Sequence, residues 1–178
     1  GTVPSSLADI TLSQYLIYLD MLKDADKKED PETFIEISIL QIFCKLRYED
    51  VMLIETSFVS NICDRIKTIL TTEPGLVERF TVGNINFGWL PKLDDMTYGE
   101  FLDLNGNISD WETMVIAMGV LYRPITKEFK GKYLVEDYKG DTYHEALKEM
   151  PMEAVVGAMV FFWNLGLDCT NYIMKHLE

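Results

Sequence analysis

The sequence predicts a mainly α protein: a compact helical domain with one β-hairpin at about residues 77–90. Three observations support this prediction. Hydroxyl residues precede Glu or Gln by three positions at several helix starts, apolar residues recur at helical spacing, and one stretch alternates apolar and polar residues. Hydrophobic residues make up 48% of the 178 residues, enough for a buried core. We expect an extended N-terminal arm over residues 1–8 and a single domain over residues 9–178.

The first part of the chain is expected to be helical. Thr11 and Gln14 form the capping box of a first helix, in which the two side chains satisfy free backbone groups. Pro31 suits the first turn of a second helix, which is apolar on most of its circumference. Helices are predicted at about residues 11–23, 31–43, 49–54 and 57–70.

The hairpin is predicted from the residues on either side of Gly83-Asn84. Apolar residues alternate with other residues before and after this pair: Phe80, Val82, Ile85, Phe87 and Trp89. Such a pair between two alternating stretches is typical of a two-residue turn. Because an isolated hairpin is only marginally stable in water, its apolar face is expected to pack on helices or to join a partner's sheet.

The second part of the chain carries further helix starts. Three more capping boxes are predicted: Thr97 with Glu100, Ser109 with Glu112, and Thr142 with Glu145. Residues 125–140 are charged and aromatic, and a loop or a short, exposed helical turn is predicted there. A last helix begins after Pro151 and should run almost to Glu178, with residues 154–167 in the core. This apolar stretch is shorter than the ~20 residues that span a bilayer.

The charge of the chain limits its partners. The formal net charge is −13, and no run of basic residues is longer than Lys27-Lys28. An acidic surface repels phosphate, so direct nucleic-acid binding and contact with an anionic membrane are disfavoured. The same acidity suits a basic protein partner, or it serves solubility alone.

No cofactor or metal site is predicted. Oxygen-bearing side chains recur from Asp103 onward as in a calcium loop, but the turn glycine and the closing glutamate of such a loop would fall on Ile108 and Met114. His144 and His176 have no neighbouring ligand pattern, and both are expected at the surface. With no catalytic constellation either, we expect a protein that is not an enzyme.

Cysteines and methionines are expected mainly in the interior. Cys44, Cys63 and Cys169 are too far apart for a paired metal-ligand pattern and are expected to be reduced and buried. The methionines of the second half are either core residues, which their helical spacing favours, or an adaptable binding surface: Met114, Met118, Met150, Met152 and Met159.

Three segments together resemble a loosely characterised group of tailed-bacteriophage virion and tail-assembly proteins. They are PSSLADITLSQYLIYL from Pro4, FTVGNINFGWLPKLDDMTYGEFLDL from Phe80 and DWETMVIAMGVLYRP from Asp110, with a weaker likeness in MPMEAVVGAMVFFWNLG from Met150. The resemblance implies a structural or assembly protein without enzymatic activity, similar to a tail assembly chaperone. It assigns no role to any single residue.

We therefore expect a non-enzymatic phage structural or assembly protein, located in the virion or in the host cytoplasm during assembly. Its partners would be other phage structural proteins, and a homo-oligomer is possible. The alternatives are a transient tail assembly chaperone absent from the mature particle and an acidic protein-binding adaptor outside phage assembly. Partner contact is predicted on the arm, the hairpin edge and the segment from Tyr98 to Arg123, with these residues: Val3, Pro4, Phe87, Trp89, Tyr98, Trp111, Tyr122 and Arg123.

Overall fold

The computed structural model describes the backbone of residues 1–177 and the side chains of residues 1–166, 174 and 175. The protein is mainly α with a small antiparallel sheet, which confirms the predicted fold class. The chain divides into two compact units, Gly1–Thr72 and Glu73–Glu178. The expected single domain over residues 9–178 stays a prediction.

The first unit is helical. Its helices are α1 (Leu12–Ala25), α2 (Pro31–Cys44), α3 (Tyr48–Val51) and α4 (Thr56–Leu70). The predicted capping box of Thr11 and Gln14 opens α1, and Pro31 is the first residue of α2, as expected. Cys44 and Cys63 are reduced and buried, and burial raises the pKa of the Cys63 thiol to about 11.

The arm at residues 1–8 packs on its own unit. Residues 1–5 have no regular secondary structure, but Pro4 is buried and Leu7 is only 4% exposed. Pro4, Leu7 and Ile10 recur at every third position and all three are buried, so apolar contact holds the arm on its unit. Ser6 also caps a short 3₁₀ turn at Leu7–Asp9.

The second unit combines a sheet with helices. Its elements are β1 (Arg79–Val82), β2 (Ile85–Trp89), α5 (Tyr98–Asn107), α6 (Met114–Leu121), β3 (Tyr122–Phe129), β4 (Lys132–Val135), α7 (His144–Leu147) and α8 (Met152–Leu177). The sheet is antiparallel, with strand order β1-β2-β3-β4. The predicted hairpin is confirmed as β1 and β2, joined at Gly83, whose φ of 58° suits a primed turn.

The second hairpin, formed by β3 and β4, was not predicted. The loop expected over residues 125–140 is wrong for the end of β3 and for β4. Lys130 and Gly131 both have positive φ and form the tight turn between these strands. β3 also pairs with β2, with Gly88 opposite Arg123 and Trp89 opposite Tyr122, so both hairpins belong to one four-stranded sheet.

Two predicted capping boxes are wrong. Asp110, rather than Ser109, caps the short 3₁₀ turn that precedes α6, and its carboxylate accepts a hydrogen bond from the Glu112 backbone. The Thr142 hydroxyl donates to the Lys139 carbonyl instead of capping α7. At Thr142 the preceding turn offers the side chain a competing hydrogen bond.

The last helix begins as predicted. Ala154, Val155 and Ala158 are buried, but Trp163 is 72% exposed and Leu165 is 42% exposed. The expectation that all of residues 154–167 are core is therefore wrong for the end of this stretch. The helix runs to Leu177, as predicted, but the side chains of Leu167, Cys169 and His176, and the whole of Glu178, lie outside the described residues.

The interior of the second unit contains most of the methionines named above. Met114, Met118, Met150 and Met152 are at most 1% exposed, as the helical spacing favoured. His144 is half-buried rather than at the surface, because its ring lies against Gly119 of α6.

Candidate protein-binding surface

α5 begins at a capping box that the sequence predicted. The Thr97 hydroxyl accepts a hydrogen bond from the Glu100 backbone at 3.2 Å, and the Glu100 carboxylate accepts one from the Thr97 backbone at 2.8 Å. These bonds fix the start of the helix and so the direction in which each later side chain points.

The inward face of α5 is polar. Glu100, Asp103, Leu104 and Asn107 lie on this side at helical spacing, and Leu104 is its only fully buried apolar residue. Burying carboxylates costs free energy unless hydrogen bonds and opposite charges satisfy them. The second unit supplies such partners from β3 and from the segment that follows β4.

Arg123, near the start of β3, is the charged partner. Its Nη2 lies 3.3 Å from Glu100 Oε1, and the two side chains are only 8% and 12% exposed. Nη2 makes no hydrogen bond of good geometry, so the attraction to Glu100 is mainly electrostatic. The Arg123 Nε donates to the Val120 carbonyl at 3.0 Å, which fixes the guanidinium at the end of α6.

Tyr138 completes this group. Its hydroxyl donates to Asp103 Oδ2 at 2.8 Å, and its ring lies 5.7 Å from the Arg123 guanidinium carbon. Burial, the hydrogen bond to Asp103 and the nearby carboxylates raise the pKa of Tyr138 to about 12. We call Glu100, Asp103, Arg123 and Tyr138 the polar cluster.

The outward face of α5 carries large apolar side chains at one end and smaller residues at the other. Tyr98 is 75% exposed, Phe101 47% and Leu102 50%, and the rings of Tyr98 and Phe101 stack with centroids 6.3 Å apart. One turn further along, Asn105 and Gly106 are exposed, and a side chain added at Gly106 would meet open space. These five residues are called the α5 face.

Acidic residues lie at both ends of the α5 face. Asp94 and Asp95 are exposed in the 3₁₀ turn just before the helix, and Asp110 is exposed just after it. Along residues 92–112 the only basic residue is Lys92. The α5 face is therefore an apolar strip in a negative surround.

The structure places the predicted contact residues unevenly. Most of them are buried within their own unit: Pro4, Phe87, Trp89, Tyr122 and Arg123. Val3 and Trp111 are half-buried, and Tyr98 is exposed. A buried side chain has little surface to offer a partner, so burial argues against the predicted role for the first group.

The buried aromatic residues among them pack in the interior of the second unit. Phe87 is fully buried and stacks on Phe80, while Trp89 contacts Tyr122 edge-on with ring centroids 5.3 Å apart. The Tyr122 hydroxyl donates to the Val77 carbonyl, which is one reason for its burial.

Phe101 and Leu102 are the surface residues that the sequence analysis missed. They follow Tyr98 at spacings of three and four, so they share its side of the helix. The pattern alone shows two unlike faces, and an apolar face is normally assigned to the core. Arg123 was the signal that the polar face of α5 is the inward one, because it pairs with Glu100. The sequence pattern instead placed Arg123 at a partner contact.

Other exposed features are less organised. A shallow groove of about 270 Å³ on the sheet is lined by Arg79, Phe80, Thr81, Asn86, Ile125 and Glu128. Arg79 and Glu128 pair across this groove. In the first unit, exposed apolar side chains cluster between α3 and the start of α4: Tyr48, Met52, Leu53 and Phe58.

Among the described residues, no group of three or more His, Cys, Asp or Glu side chains is arranged to hold a metal ion. Over the same residues, no helix combines the length and the apolar composition needed to cross a membrane.

Comparison with known proteins gives no match: no family model fits the chain, and neither the curated proteins nor the solved structures yield a similar one.

Proposed function

We propose that this chain is a non-enzymatic protein that acts through protein–protein contacts in the assembly of a tailed-phage particle, with the α5 face as its contact surface. The observation that supports the contact surface is the orientation of α5. This helix turns the carboxylates of Glu100 and Asp103 inward, together with Leu104, and leaves Tyr98, Phe101 and Leu102 exposed on its outward face.

The energetics of this orientation favour a binding role. Burying a large apolar side chain contributes up to about 1.5–3 kcal/mol, which α5 leaves largely unrealised at Tyr98, Phe101 and Leu102. Burying an ion pair gives little net stability in return, because desolvation offsets most of the attraction. A partner that covers the α5 face would recover the missing apolar contribution.

The polar cluster supports the same role. Arg123 and Tyr138 contact α5 from two different segments and hold it by directed interactions at Glu100 and Asp103. The α5 face is consequently presented on a fixed helix before any partner arrives. A surface that is already ordered loses less entropy on binding.

The phage setting is supported by the sequence resemblance alone. Within it, a virion component is favoured over a transient chaperone by one observation. The methionines that would form an adaptable chaperone surface are mostly buried, with Met114 and Met118 fully inaccessible.

The test uses two variants with matched chemistry. Phe101→Gln/Leu102→Gln removes two apolar residues of the α5 face, and Phe129→Gln/Leu134→Gln removes a Phe and a Leu that are more exposed than these from the β3–β4 hairpin. Each variant is supplied to cells that produce phage particles, and the purified particles are analysed by mass spectrometry.

We expect the wild-type chain and the hairpin variant to be present in stoichiometric amounts, and the α5 variant to be lost from the particles. Equal incorporation of both variants would reject the α5 face as the contact surface. A wild-type chain absent from particles but bound to a phage protein in the lysate would support the chaperone alternative instead.

A further inference from the structure

We infer that the segment that docks on the α5 face is a basic amphipathic helix of the partner protein, an inference that rests on the function proposed above. Such a helix carries apolar residues at helical spacing along one side and Lys or Arg beside them. Three properties of the α5 face lead to this class of ligand.

The first property is backbone saturation. The backbone groups inside a helix are already hydrogen-bonded to one another, so α5 offers no free edge to which a partner strand can add. Binding must come from side chains, and a second helix presents side chains at the matching spacing.

The second property is shape. From Tyr98 to Gly106 the α5 face is about 12 Å long, given a rise of about 1.5 Å per residue. Tyr98 and Phe101 form a raised end, and Gly106 leaves a low end where another backbone approaches closely. Two turns of an apolar helix side fit this length.

The third property is charge. Exposed Asp94 and Asp95 lie at one end of the face and exposed Asp110 at the other. A flanking Lys or Arg on the docked helix would meet a carboxylate at each of these positions. Complementary charges of this kind speed association and exclude acidic competitors.

Charge also argues against a second copy of this chain. In a symmetric pair of antiparallel α5 helices, Asp94 and Asp95 of one copy would face Asp110 of the other. Carboxylates would face carboxylates at both ends of the pair and repel each other, and each chain already carries a net charge of −13. The surround of the α5 face therefore selects a partner of opposite charge.

The experiment uses three synthetic peptides of equal length as probes. The LK peptide has Leu at helical spacing with Lys at the other positions, the LE peptide has Glu in place of Lys, and the scrambled LK peptide has the same composition without an apolar stripe. Binding of each labelled peptide to the full chain is measured by fluorescence anisotropy at about 0.05 M and about 0.5 M salt, which screen charges weakly and strongly.

Matched variants distinguish peptide binding at the α5 face from general electrostatic attraction to the acidic chain. Phe101→Gln/Leu102→Gln is compared with the hairpin variant Phe129→Gln/Leu134→Gln. Asp94→Asn/Asp95→Asn is compared with Asp26→Asn/Glu29→Gln, which removes the same charge from exposed residues of the first unit.

We expect the LK peptide to bind the wild-type chain at least about tenfold more tightly than the other two peptides. The α5 variant should weaken this binding at least about tenfold, because truncating central apolar contacts has the largest effect. Asp94→Asn/Asp95→Asn should weaken it about threefold and reduce its salt dependence, and both control variants should stay within about twofold.

Several outcomes would overturn the inference. It is wrong if the LK peptide does not bind, if the LE or scrambled peptide binds as tightly, or if the two charge variants weaken binding equally. It is also wrong if sedimentation shows a wild-type dimer that Phe101→Gln/Leu102→Gln dissociates, because the ligand is then a second copy.

The two proposals fail in different experiments. If the α5 variant is lost from phage particles but no LK binding is seen, the contact surface stands and the class of ligand is wrong. If the α5 variant is incorporated normally, the proposed contact surface is wrong whatever the peptides do.

Discussion

α4 and α5 are both amphipathic helices, but they turn opposite faces to the interior of their units. In α4 the apolar residues Cys63, Ile66 and Ile69 are buried and the charged residues are exposed. In α5 the carboxylates of Glu100 and Asp103 point inward and the apolar α5 face points to solvent. A sequence pattern of this kind defines two faces without specifying which one is buried.

The difference comes from interactions that are distant in sequence. α4 needs only apolar contact to be oriented, and Cys63 adds a weak hydrogen bond to the Glu36 carbonyl. α5 is oriented by Arg123 and Tyr138, each at least 20 residues further along the chain than the carboxylate that it contacts. α4 is positioned by the burial of apolar residues, and α5 by charge and hydrogen bonding. Different mutations should therefore disturb the two helices.

The largest effect is expected from Arg123→Met. This change leaves the Glu100 carboxylate buried without its charged partner and should lower the free energy of unfolding by about 3 kcal/mol. The measurement is urea denaturation followed by circular dichroism. Adding Glu100→Gln to Arg123→Met should restore at least about 1 kcal/mol, because the unpaired charge is then gone. Loss of less than about 0.5 kcal/mol in Arg123→Met would show that the ion pair does not orient α5.

An effect of similar size is expected from Ile66→Ala in α4. Ile66 is fully buried, so the change should cost about 2–4 kcal/mol from lost apolar contact and the cavity that remains. Lys67→Ala, on the exposed side of α4, is the control and should stay within about 0.5 kcal/mol. Similar unfolding curves for the two variants would mean that α4 is not positioned by its apolar stripe.

Local signals in the sequence predicted much of the fold. The Thr11 and Thr97 capping boxes, the proline at the start of α2 and the turn at Gly83-Asn84 each depend on residues a few positions apart. β3 and β4 were missed because their exposed ends carry charged residues that weaken the apolar alternation. The two-residue turn at Lys130-Gly131 was the available signal for this hairpin.

The candidate surface was predicted only in part. Of the predicted contact residues in the segment from Tyr98 to Arg123, Tyr98 is exposed, but Tyr122 and Arg123 are buried. Tyr122 is buried because β3 pairs with β2 in the middle of the sheet, and Arg123 because it lies against α5. Both facts depend on contacts across the chain, which the local pattern does not contain.

A moderate effect is expected from Tyr138→Phe, which tests the second interaction that orients α5. Removing the hydrogen bond to the Asp103 carboxylate should cost about 1 kcal/mol at neutral pH in urea denaturation. A cost near zero, with the LK affinity unchanged, would leave Arg123 as the sole orienting residue.

The same variant carries a pH prediction. The pKa of Tyr138 rises from 10.0 to about 12 on folding, so its stabilising contribution is complete below pH 10 and is lost as the pH rises toward 12. Wild type should therefore lose more stability than Tyr138→Phe over this interval. In the titration of tyrosinate absorbance in the near-ultraviolet, the variant should lose one late-ionising tyrosine, while Tyr122, whose pKa burial also raises, still ionises late. An unchanged titration would contradict the assignment.

The smallest effect on stability is expected from Phe101→Gln/Leu102→Gln. This variant tests the difference between α4 and α5 most directly. Both side chains are about half exposed, and Gln is a good helix former, so the free energy of unfolding should change by no more than about 0.5 kcal/mol per site. In Ile66→Ala the stability falls and binding of the LK peptide is unchanged, whereas here binding falls and stability is unchanged. A loss of more than about 2 kcal/mol would show that the α5 face belongs to the core of its unit, and the contrast between the two helices would disappear.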